Sequence, residues 1–145
     1  MLAATLVLIL VPSGCTGDGE AAAHSCTARD LSFLRSASVD AISLGLWMQD
    51  YNAGQAGARE VAGEAFAAAE RIGHVEARDP SLRTAQRYLT AMLTEYGEGM
   101  KLRAKGEDAG KRMYRAYGLA NFARDVLVQA QPELAKRGCD VSVLL

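Results

Sequence analysis

The sequence predicts an all-α protein, an antiparallel up-down-up-down four-helix bundle that follows a signal peptide and a flexible tether. Three observations predict it. Apolar residues recur at spacings of three and four over four separate segments, which is the helical period and not the alternation of a half-buried strand. Turn-forming runs of only a few residues separate the segments, so neighbouring helices must reverse direction. Half of the residues are apolar, yet that half is dominated by alanine and only 6% of the chain is aromatic, so the side-chain volume suits close-packed helices better than a large sheet.

The first helical pattern runs from Thr27 to Tyr51. Leu34, Ala37, Ala41, Leu44, Met48 and Tyr51 form its stripe, and Leu31, Ile42 and Leu46 widen it, so this helix is expected to be the most enclosed of the four. Thr27 suits the N-cap, where a hydroxyl satisfies a free backbone amide. Asn52, Gly54 and Gly57 mark a turn. The second pattern, Ala56 to Ala77, places Ala58, Val61, Ala65, Ala68, Ile72 and Val75 on one stripe, with Glu60, Glu64 and Arg71 expected on the outer side.

Asp79-Pro80 is the clearest helix start, since aspartate caps exposed amides and proline at the first helical position sacrifices no hydrogen bond. Leu82, Ala85, Leu89, Met92, Tyr96 and Met100 continue from it, and Lys105 to Asp108 make the next turn. The last pattern is the most regular: Ala109, Met113, Ala116, Ala120, Ala123, Leu127, Ala130 and Leu134. Pro132 removes a backbone donor and crowds the preceding turn, which predicts a kink or a restarted short helix. Val141 to Leu145 is apolar and is expected to lie back on the bundle. Interior glycines such as Gly63, Gly97 and Gly118 each cost about 0.8 to 1 kcal/mol relative to alanine.

The 145 residues form one folded domain, with residues 1–14 as signal peptide, 15–26 as tether, 27–138 as bundle and 139–145 as a C-terminal tail. The formal charge is -1, and no nucleic-acid partner is expected. The charge is unevenly placed: Asp18 to Asp79 holds ten acids against five bases, and Pro80 to Leu145 holds seven acids against eleven bases. The two halves can pair their rims. Alternatively Lys101, Arg103, Lys105, Lys111, Arg112 and Arg115 form a basic knob able to touch an anionic surface.

Catalytic and metal chemistry is sparse. With two histidines, His24 and His74, the paired Glu-x-x-His arrangement of di-iron bundles cannot be built, and neither a metal nor a cofactor is expected. Gly106 to Arg112 glances at a phosphate loop but has one residue too few between its glycines and no preceding strand, so it reads as a helix-helix turn. Ser43 sits in a helical pattern and lacks the first glycine of a nucleophile elbow. Trp47, Tyr51, Tyr96 and Tyr117 could line a ligand groove, although aromatics at helical spacing usually serve packing. The chain is therefore expected to be a binding or interaction module and not an enzyme, with a small-molecule or cofactor-binding bundle as the alternative.

The address is written at the front. Leu2 to Val11 is too short an apolar run to span a bilayer as a helix, which needs about 20 residues, but has the length of a signal-peptide core. Small and turn-forming residues follow it, and the segment Val11-Pro12-Ser13-Gly14-Cys15 resembles the lipobox of bacterial lipoproteins. The resemblance implies that the Cys15 thiol receives a diacylglyceryl group, that the peptide is cut before it, and that the protein sits lipid-anchored on the extracytoplasmic face of the bacterial cell membrane. Its partners would be the membrane and another envelope protein or an anionic surface polymer. Two other readings stand beside it: cleavage by ordinary signal peptidase after Ala21-Ala22-Ala23, and a buried N-terminal segment of a cytosolic protein.

The chain has three cysteines, an awkward number for an exported protein. The resemblance assigns Cys15 to lipid and leaves Cys26 and Cys139, one just before the first helical pattern and one just after the last. Their pairing would tie the ends of the fold together.

Overall fold

The computed structural model of the protein describes residues 25–145. The expected signal peptide, the expected lipidation at Cys15 and both expected cleavage points fall outside the described residues. Four helices follow one another, α1 (Ala28–Asn52), α2 (Ala58–His74), α3 (Pro80–Ala104) and α4 (Gly110–Lys136), and a 3-10 turn, Ser142–Leu144, ends the chain. No strand occurs among the described residues.

The starts follow from local chemistry. Thr27 accepts from the Asp30 amide through its hydroxyl oxygen at 3.2 Å, while the Asp30 carboxylate accepts from the Thr27 amide and hydroxyl at 3.3 and 2.6 Å. This reciprocal box satisfies two amides that the first turn leaves unpaired. Asp79 accepts from the amides of Ser81 and Leu82 at 2.8 and 3.0 Å, with Pro80 opening α3. Between α3 and α4 the chain turns at Gly106, whose φ of 74° is left-handed and suits glycine.

One end of the molecule gathers the start of α1, the α2–α3 connection and the end of α4. Cys26 and Cys139 are joined there by a disulfide, and the Cys26 amide donates to the Arg137 carbonyl at 2.7 Å. The Arg137 guanidinium reaches Asp79 at 2.5 Å. Asp30, 3% exposed, accepts from the amides of Arg78 and Asp79 at 2.7 and 2.9 Å. Gln86 crosses beneath, accepting from the Ala77 amide and donating to the carbonyls of Ile72 and Val75, which closes the end of α2. With these three chain segments at one end and the other two turns at the far end, the helices alternate in direction.

Phe33, Leu34, Leu82, Leu93, Leu127, Leu134 and Val141 fill the core at the disulfide end. A second cluster at the far end is built on Val61, Ala62 and Met100. α2 packs closely along α3, and α3 along α4, whereas α1 is held more loosely on α2 and does not pack along α4. Side-chain size explains the difference. α2, α3 and α4 meet through Ala62, Ala65, Ala85, Gly97, Gly99, Ala116 and Ala123, while α1 brings Phe33, Leu34, Leu44, Trp47 and Met48 inward and stands off on them. The tail does lie back, with Val141 buried and Leu144 packed against the core.

Three expectations are answered in detail. α1 is not the most enclosed helix: Leu31, Ile42 and Leu46 are 46%, 60% and 58% exposed, on the side of α1 that faces away from the buried Phe33, Leu34 and Ala37. Glu64 is drawn inward, and Arg71, exposed as expected, bends its guanidinium back across the seam between α1 and α2. Arg71 reaches the buried Asp40 of α1 and Glu64 at 2.7 Å each, and Ser43 donates to Glu64 at 3.2 Å, so a polar seam holds α1 to α2 where apolar packing is thin. Of the kink or restart expected at Pro132, the restart does not occur: α4 runs through it as one helix. Pro132 lies in the last two turns of α4 on an exposed face, where water can solvate the carbonyl it leaves unpaired.

Interior glycines are not equivalent. A Cβ on Gly97 would stand 2.9 Å from the Phe66 ring, whereas a Cβ on Gly118 meets nothing within 4 Å. Gly118→Ala is therefore expected to stabilise by about 0.5 to 1 kcal/mol through helix propensity. Gly97→Ala is expected to destabilise by about 1 kcal/mol, since overpacking against the ring outweighs the same propensity gain. Urea midpoints of the two variants check the opposite signs, and equal shifts would show that the Phe66 contact is not tight.

Candidate functional site

The aromatic groove expected from Trp47, Tyr51, Tyr96 and Tyr117 is only partly assembled. Trp47, Tyr51 and Tyr96 converge on the far-end cluster with Met48, Phe66 and Met113, half-buried against Val61, Ala62 and Met100. They serve as packing at the place where α1 stands off from the other helices. The Tyr96 hydroxyl donates to the Met48 sulfur, and burial pushes its pKa above the ordinary phenol value against the opposing pull of Arg103. Tyr117 is 67% exposed on α4 and does not join them.

The six basic residues do not form one knob. Arg112 and Arg115 turn back to Glu95 of α3, at 2.8 and 3.8 Å. Lys111 is exposed in the first turn of α4. Arg103 lies two residues from Lys101 and Lys105, which places it on the opposite side of α3. Lys101 and Lys105 instead share the α2 side with a residue that sequence reasoning did not select, Arg59.

These three cations rim a groove of ≈ 390 Å³ between the start of α2 and the end of α3, floored by Ala62, Gly63, Phe66 and Ala104. The local sequence explains the shape. Gly63 and Ala62 have too little side chain to fill the space, and Gly97 lets the Phe66 ring approach α3 closely. The Lys101 ammonium stands 5.2 Å from the centroid of the Phe66 ring and 3.1 Å from Glu98. A cation over an aromatic face is attracted to its negative quadrupole. The groove therefore offers an apolar floor and a cationic rim, the chemistry to take an anionic group carried on an apolar body. The signal for Arg59 was in the sequence, because Arg59, Ala62, Gly63 and Phe66 fall at the three- and four-residue spacings of one helix face.

A second depression, ≈ 440 Å³, lies between the end of α2 and α3, with Arg83 and Arg87 facing Glu76 across Gly73 and Thr90. Its buried amide, Gln86, is already fully occupied in closing α2. His74 is exposed at the end of α2, 3.5 Å from Glu70. Among the described residues no three of His, Cys, Asp and Glu gather as metal ligands, and every buried side-chain nitrogen or oxygen has a hydrogen-bond partner. No described helix is long and apolar enough to cross a membrane.

No protein-family model matches the chain, and comparison with curated proteins and with solved structures finds no similar protein.

Proposed function

We propose that the protein is an exported, lipid-anchored and non-catalytic binding module of the bacterial envelope, held at the extracytoplasmic face of the cell membrane through Cys15. The observation that carries this reading is the Cys26–Cys139 disulfide. Such bonds persist in oxidising compartments and are rare where thioredoxin and glutathione keep thiols reduced. The bond also accounts for two of the three cysteines, leaving as the odd thiol the one that follows the short apolar run and Pro12-Ser13-Gly14. Function then falls to surfaces. The groove rimmed by Arg59, Lys101 and Lys105 suits an anionic partner, either another envelope protein or an anionic surface polymer.

Intact-mass measurement of the protein extracted from membranes tests the reading. The expected mass lacks residues 1–14, carries acyl chains on the new N-terminal cysteine and is two hydrogens short for the bridge. In cells, Cys15→Ala is expected to move the protein out of the membrane fraction. A full-length, unacylated chain with three free thiols would end the proposal.

A further inference from the structure

The outer face of α1 is an unpartnered apolar surface with a particular charge pattern. Leu31, Val39, Ile42 and Leu46 are 46%, 60%, 60% and 58% exposed. At 3.6 residues per turn their positions fall within an arc of about 80°, and at 1.5 Å per residue they extend over about 22 Å. Their arc lies opposite the face that buries Phe33, Leu34 and Ala37, so α1 is apolar on two sides. The 3-10 turn seated on the same helix exposes Val143 and Leu145.

The charges of α1 are sorted between inside and outside. Its acids Asp30 and Asp40 are buried and bonded inward, to Arg78 and Asp79 amides and to Arg71. Its bases Arg29 and Arg35 are exposed, and Arg35 sits inside the apolar arc. From Ala28 to Gln49 the exposed surface of α1 therefore carries only positive charge, with aspartate appearing outside only at Asp50.

We propose that this face is a membrane-contact surface, with α1 lying along the interface of a bilayer that carries anionic lipid. Leu31, Val39, Ile42 and Leu46 enter the boundary between headgroups and acyl chains, and Arg35 extends its guanidinium along them to a lipid phosphate, as long cationic side chains do at interfaces. A parallel second copy fits the face poorly, because it would bury Arg35 against its counterpart, and an uncompensated buried charge is strongly unfavourable. An antiparallel copy that set each Arg35 against the exposed Asp50 of the other is the competing occupant, and the vesicle-free dimer measurement below detects it. The inference rests on the lipid anchorage proposed above only for bringing a bilayer within reach: the eleven residues from Cys15 to Ser25 can extend to at most about 40 Å.

The test places the single tryptophan of the full chain on this face, combining Ile42→Trp with Trp47→Phe. A control combines Phe122→Trp, at an exposed position of α4 whose ring lies 5.6 Å from that of Tyr88, with the same Trp47→Phe change. Both are bound to vesicles of phosphatidylglycerol and phosphatidylethanolamine with brominated acyl chains, and to brominated phosphatidylcholine alone. The Ile42→Trp protein is expected to lose most of its emission on the anionic vesicles and much less on phosphatidylcholine, with the loss removed by Arg35→Glu; the control keeps its emission throughout. Carbene footprinting of the unsubstituted chain reads the same face without substitutions, with protection of α1 at Ile42 and Leu46 expected on anionic vesicles. Vesicle-bound protein in which both positions are quenched alike, or neither is, overturns the inference while leaving the anchor intact. A dimer in vesicle-free solution that Ile42→Asp dissociates, or protection that appears only with a protein partner, also overturns it. Quenching at position 42 in a chain whose mass shows no acyl group keeps the inference and removes the anchor.

Discussion

Reducing the Cys26–Cys139 bond is expected to cost about 4 to 5 kcal/mol of unfolding stability, since opening a loop of 113 residues returns that much chain entropy to the unfolded state. For a domain of this size that is a drop in Tm on the order of 15 to 20 °C. Cys139→Ser should do at least as much, because the 1% exposed Cys139 also packs in the core, where a hydroxyl is poorly accommodated. Thermal unfolding with and without reductant measures the first effect, and the serine variant measured without reductant gives the second. An unchanged Tm on complete reduction would show that the hydrogen bonds around the bridge hold this end unaided.

Asp30→Ala is expected to cost about 3 kcal/mol or more. The substitution removes the acid half of the cap on α1, a loss of about 1 kcal/mol, and strands the amides of Arg78 and Asp79, of which the latter is buried. Leaving a buried donor unpaired costs about 1 to 3 kcal/mol. The effect is also visible in pH. Burial alone would raise the Asp30 pKa, but the hydrogen bonds from the Thr27 hydroxyl and from the amides of Asp79, Arg78 and Thr27 outweigh it and hold the carboxyl below its ordinary value of 3.8. A depressed folded pKa means that the contribution is complete above the unfolded value and is lost as pH falls through the folded one. Urea midpoints followed from neutral pH into the acid range should therefore fall more steeply for the natural chain than for Asp30→Ala. Parallel curves would show that Asp30 does not carry the acid sensitivity. Because Asp30 and Cys26 brace the same end of α1, the loss on reduction and the loss on Asp30→Ala should not add.

Sequence periodicity located all four helices because each carries apolar residues at spacings of three and four over several turns. Thr27 and Asp79-Pro80 fixed two starts because capping is a local matter, settled within three residues. The pairing of Cys26 with Cys139 was legible from cysteine count once Cys15 was assigned to lipid. What could not be read was which of two apolar faces of α1 turns inward. Leu31, Ile42 and Leu46 fit a helical period as well as Leu34, Ala37 and Leu44 do, and the choice depends on how far α1 is held from α4, which is a property of the packed whole. The polar seam was missed for the same reason: the partners that hold Glu64 and Arg71, Ser43 and Asp40, are on another helix, 21 and 31 residues away. The basic groove needed Arg59 and Lys101 on two helices whose register is set by Phe66 lying against Gly97, a fit that no single-helix pattern contains.

The position of the bridge has a mechanical consequence. A pull transmitted through the residues before Cys26 enters the domain at the crosslink, one residue ahead of the Thr27 cap, and divides at once between the first helix and the last. Peeling α1 away turn by turn, the easiest failure for a terminal helix loaded at its free end, is then no longer open to it. Under load Cys26 and Cys139 move as a single attachment point, so the start of α1 and the segment that leaves α4 carry the tension jointly.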